Sequence, residues 1–81
     1  EPLAGVARRY GETLVASHVL LQEANAMERC EVRTALLCAA RDLCRQATQE
    51  ARTLATATGN GRPLELAERI AASIEAGGSE K

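Results

Sequence analysis

Thr58-Gly59-Asn60-Gly61-Arg62-Pro63 is the stretch on which the fold turns. Glycine reaches the left-handed backbone conformation that closes a helix, and proline in a first helical turn gives up only an N–H that has no partner there. The hexapeptide therefore reads as a helix stop followed by a restart. Downstream of it, Leu66, Ala67, Ile70 and Ile74 share one side, Leu64 and Ala71 flank them, and Glu65, Glu68, Arg69 and Glu75 lie opposite. That spacing predicts a short amphipathic helix over about residues 63 to 76. Gly77-Gly78-Ser79-Glu80-Lys81 then reads as a flexible tail, leaving residues 1–76 as one domain.

Upstream, no glycine or proline interrupts residues 12 to 58, which favours long helices. Leu3, Ala7, Tyr10, Leu14, Ser17, Leu21 and Ala24 recur at alternating steps of four and three, the mark of one buried stripe on a first helix over about residues 3 to 25. Gly11 is its weak point. Val32, Leu36, Ala40 (or Ala39), Leu43, Ala47, Ala51 (or Glu50) and Leu54 form the expected inner face of a second helix over about 30 to 57. Between them, Asn25-Ala26-Met27-Glu28-Arg29-Cys30 contains one turn former and neither glycine nor proline. A turn is expected there, because a continuous helix would run about 80 Å with nothing to fold back on. The fold class is thus all-α: an antiparallel helical hairpin of two long helices plus a shorter third, a three-helix bundle open to completion by dimerisation or a partner helix.

The apolar residues of this hairpin spread wider than the roughly 100° stripe that one core requires. In Leu14-Val15-Ala16-Ser17-His18-Val19-Leu20-Leu21, Val15 and Val19 project to one side of the inner stripe and Leu20 to the other. In Ala35-Leu36-Leu37-Cys38-Ala39-Ala40, apolar groups go around almost the whole circumference of the helix. One short third helix is expected to cover one flank only, leaving Val15, Val19, Leu20 and Leu37 as anchors for another helical surface. The bland reading is that much of this width is alanine, which tolerates solvent.

Composition narrows the possibilities. Hydrophobic residues make up 46% of the 81, but Trp and Phe are absent and Tyr10 is the sole aromatic. The core is expected to be thin, with alanine letting helices approach. A net charge of −1 argues against nucleic acid as a ligand. No apolar run reaches the length of a membrane span, and the N-terminus lacks signal-peptide regions, so membrane insertion is not expected. The opening Glu1-Pro2 and the glycine-rich end suggest a piece of a longer protein. Three cysteines, Cys30, Cys38 and Cys44, suit reduced thiols in the cytoplasm better than a secreted disulfide framework.

Little catalytic chemistry is offered. The cysteines are eight and six residues apart and do not converge on a metal, so they are read as small hydrophobes in or near the core, with redox sensing at Cys30 as the sharper alternative. His18 has Ser17 beside it and the amide Gln22 one turn on, where a base would want a carboxylate. Neither a cofactor nor a metal is expected, and the chain is not expected to be an enzyme. Nine of the ten basic residues are arginine, and Arg41, Arg45 and Arg52 fall close to one face of the second helix, with Arg33 extending the row. They could pair with an acidic helix or a phosphorylated peptide, or form a solvated face laced with ion pairs to Asp42 and Glu50.

In composition, Ala47-Thr48-Gln49-Glu50-Ala51-Arg52-Thr53-Leu54-Ala55-Thr56-Ala57 resembles the alanine-, threonine- and glutamine-rich bundles of talin and vinculin type adaptors. In its three-helix length the chain also looks like microtubule-interacting-and-trafficking domains. The resemblance implies a helical adaptor and assigns no residue a role. The expected function is a protein-binding module of an intracellular scaffold or adaptor that takes a partner helix or peptide on the face of its first two helices, with Val15, Val19, Leu20, Leu37, Arg41, Arg45 and Arg52 as contacts. The alternative is a homodimerisation domain in which two hairpins form a four-helix bundle.

Overall fold

In a computed structural model that describes residues 2–78, the chain forms three helices: α1 (Leu3–Asn25), α2 (Glu31–Thr58) and α3 (Arg62–Gly78). No strand occurs among the described residues. α1 and α2 pair along their length, and α3 runs antiparallel to α2, packing on it far more than on α1. The bundle is a rod of 41 × 18 × 14 Å.

The turn after α1 forms without glycine or proline. The Ala26 N–H is shared between the carbonyls of Gln22 and Glu23, each at 3.2 Å, and the Met27 N–H reaches that of Ala24 at 3.1 Å. Arg33 Nε donates to the same Ala24 carbonyl at 3.1 Å, so a guanidinium on the first turn of α2 satisfies the end of α1. The second junction follows its sequence closely. Gly59 takes the left-handed conformation at φ 74° and its N–H closes on the Ala55 carbonyl at 2.8 Å. Asn60 Oδ1 accepts from the Arg62 N–H at 3.1 Å, and Pro63 occupies the first turn of α3.

α3 continues past its expected end. Gly77 and Gly78, expected in the tail, are helical. Gly77 packs against the end of the hairpin: a Cβ there would rest in ordinary contact with Leu37 and Leu21. Residues 79–81, the remainder of that expected tail, lie outside the described residues.

The core is built on small residues. Ala24, Ala40, Ala47, Ala51 and Ala67 are all completely buried, which lets the helix backbones approach closely. Leu21, Leu37, Cys44 and Ile74 fill one cluster around Ala24 and Ala40, and Leu14, Ala47 and Ala67 fill a second toward the other end. Tyr10 caps this second cluster, its hydroxyl donating to the Pro63 carbonyl at 3.0 Å. The fully buried Ser17 donates within its own helix to Leu14 at 2.9 Å.

The buried line of α2 is rotated from the one expected. About Ala40, at roughly 100° per residue, Leu36 and Leu43 lie about 40° and 60° to one side, and Cys44 and Leu37 the same angles to the other. The fully sheltered side is that of Leu37 and Cys44, whereas Leu36 and Leu43 are half-buried and Val32 is 56% exposed. The cause is α3: Cys44 Sγ donates to the Ala67 carbonyl at 3.4 Å, so α2 packs against α1 and α3 together and its most buried line falls between the two. Leu3, Ala7 and Leu66, also expected inside, are exposed near helix starts. Cys30 and Cys38 are exposed as well, so of the three thiols only Cys44 is a core residue.

Candidate functional site

The four expected apolar anchors fall in three places. Val15 and Val19 each lie two residues from the buried Ser17, hence about 160° around α1 from it, and they are 61% and 46% exposed on the back of the helix. Leu20 is half-buried on the flank of the α1/α2 pair away from α3, packed against the core beside Leu36. Leu37 does not project outward at all. It is 8% exposed and lies under the end of α3, so it is a core residue and not a docking anchor. Periodicity could place it on either side of the inner stripe; only the position of α3 decides which flank of α2 is sealed.

The flank away from α3 is marked by the ion pair of Arg9 with Glu50, Nε to Oε2 at 3.0 Å, which bridges α1 and α2. Glu50 lies about 80° from Ala40 on the same side as Leu36 and Leu43. Leu20, Leu36 and Leu43 therefore form a half-buried seam along this flank, and Val32 continues its edge on α2. Val32, Leu36 and Leu43 were expected to be inner-face residues; their partial exposure shows once α3 takes the other side.

The arginine row stands elsewhere, on the α3 side of α2. Arg41, Arg45 and Arg52, with Thr48 and Gln49, line a cavity of about 380 Å³ closed on its far wall by Ala71, Ile74 and Glu75. A second cavity of about 820 Å³ shares Arg41, Ile74 and Glu75 with it and extends past Leu37 and Cys38 to Arg29, Glu31 and Arg33. Together they form one groove between α2 and α3. Arg45 approaches Asp42 at 3.9 Å, and an Arg41 nitrogen lies 4.0 Å from Cys38 Sγ. Among the described residues, neither Arg41 nor Arg52 has a carboxylate partner. The structure thus separates the seven expected contacts: Val15 and Val19 stand on the back of α1, Leu20 lies in the flank seam, Arg41, Arg45 and Arg52 line a basic groove beside α3, and Leu37 is in the core.

Other reactive groups are dispersed. His18 is exposed, its Nε2 3.3 Å from the Gln22 amide nitrogen. Burial raises the Cys44 thiol pKa above its ordinary value, partly offset by hydrogen bonds with Thr48 and Ser17, so the thiol stays protonated and in the core. Among the described residues, no three His, Cys, Asp or Glu side chains converge into a metal site, and no helix is long and apolar enough to cross a membrane.

Comparison with family models, with curated proteins and with solved structures finds no match to this chain.

Proposed function

We propose that the chain is a non-enzymatic protein–protein interaction module of a larger cytoplasmic scaffold or adaptor, docking a partner helix on the outer surface of its α1/α2 pair. Val15 and Val19 are the anchors, on the back of α1, while Leu20 belongs to the flank seam with Leu36 and Leu43. The observation that carries this reading is the exposure of Val15 and Val19, 61% and 46%, on the side of α1 turned from its own core. At one turn apart they present the i, i+4 spacing that a partner helix packs against. A bundle whose core is largely alanine and leucine has little stability to spare, so apolar area covered by a partner, at about 25 cal/mol per Å², adds significantly to it.

The test is the pair Val15→Asp and Val19→Asp. Both side chains are exposed, so the helical circular dichroism signal and melting behaviour are expected to stay close to wild type. A partner crosslinked to the wild-type chain within its parent protein is expected to be lost from the double variant. Retention of that partner by a folded double variant would remove these anchors from the account.

A second reading is supported by the seam of Leu20, Leu36 and Leu43. It lies between two antiparallel helices on the flank α3 leaves open, where a second copy of the hairpin can pack to complete a four-helix bundle. Sedimentation of the isolated chain separates the two readings. A monomer at tens of micromolar removes the homodimer, whereas a stable dimer dissociated by Leu20→Asp supports it.

A further inference from the structure

We propose that the groove between α2 and α3 is a second, independent binding site, whose ligand is an acidic helical peptide lying along the arginine row. The two adjoining cavities are lined by five arginines against two glutamates, Glu31 and Glu75, whereas the rest of the chain carries five basic residues and nine acidic ones. A nearly neutral molecule therefore concentrates its positive charge in one groove.

Geometry selects the form of the ligand. Arg41, Arg45 and Arg52 stand at i, i+4 and i+11, a spacing that keeps them within about 40° of one line on α2 and rises roughly 6 Å and then 10 Å between them. A ligand helix with carboxylates at the same intervals lies alongside with each carboxylate level with a guanidinium. Guanidinium groups bind carboxylates through a planar two-donor fork. These three are not consumed by internal pairing: Arg41 and Arg52 have no carboxylate partner among the described residues, and the contact of Arg45 with Asp42 is long and solvent-exposed. The apolar floor of Ala71 and Ile74 and a cavity of about 380 Å³ give the side chains of such a helix a recess rather than a flat surface.

The test uses the full chain and a labelled synthetic helix carrying glutamates at i, i+4 and i+11 on an alanine and leucine scaffold, with a glutamine version as control. Fluorescence anisotropy is expected to show saturable binding of the glutamate peptide that weakens steeply with added salt, because rim charges are screened within about a Debye length. The variant Arg41→Gln/Arg45→Gln/Arg52→Gln keeps the side-chain stems and helix propensity, and is expected to bind about tenfold or more weakly. Glu75→Gln removes a competing negative charge from the groove wall and is expected to tighten binding, a gain that misfolding cannot mimic. Val15→Asp/Val19→Asp is expected to leave this binding unchanged, so the groove and the α1 surface stand or fall separately. No saturable binding, equal binding of the glutamine peptide, or tighter binding of a serine-phosphorylated peptide or a single-stranded oligonucleotide would each overturn the proposal.

Discussion

Ala47 lies completely buried in the second core cluster, which has no aromatic ring except Tyr10 at its edge. Its smallness sets the spacing of the helices. Ala47→Leu forces added methylenes into a filled space and is expected to destabilise the fold by about 1–3 kcal/mol, read as a lower urea midpoint. Ala39→Leu, at an exposed position on the same helix, is expected to change the midpoint little. Cys44 gives a pH signature. Burial raises its thiol pKa above 9.0 and that of the Tyr10 hydroxyl above 10.0, so the folded state favours the neutral forms. Below the ordinary thiol pKa both states are neutral and the contribution is complete. As pH climbs past it, the unfolded chain loses protons first and stability falls. Urea midpoints are expected to decline from about pH 9 upward, with a shallower decline in Cys44→Ala. An unchanged slope in that variant would show that the thiol is not sheltered.

At the scale of elements, Gly59 is the position where backbone conformation alone decides the outcome. Its φ of 74° lies in the left-handed region, where a side chain costs about 1–2 kcal/mol. Gly59→Ala is expected to lower the melting temperature by roughly 4–8 °C per kcal/mol lost in a domain of this size. Gly61→Ala meets no steric neighbour and no positive φ, and is expected to be milder. Helix positions were legible in the sequence because their punctuation is local: Gly59 and Pro63 close and open helices by their own chemistry. The rotation of α2 was not legible. Leu36 and Leu37 are adjacent leucines with equal claims to the interior, and Leu37 wins because α3 lies on its side. The same tertiary fact decides the candidate site. Val15 and Val19 could be placed outside by their distance from Ser17, while Leu37 could not be placed inside without α3. The arginine row was legible as a stripe, but not as the wall of a groove.

At the scale of the whole molecule, α3 divides the surface in two. On its own side it seals Leu37 and Cys44 and turns the arginine row into a groove; on the other it leaves a half-buried seam between α1 and α2, while Val15 and Val19 stand exposed on the back of α1. Val15 and Val19 on α1 thus remain wet in the folded monomer while Leu37 does not. Methyl NMR of the 81-residue chain with a soluble paramagnetic agent tests this most directly. Strong broadening of the Val15, Val19 and Val32 methyl signals is expected, with protection of those of Leu37 and Ile74. Protection of Val15 and Val19 to the same degree as Leu37, unchanged on dilution, would contradict it.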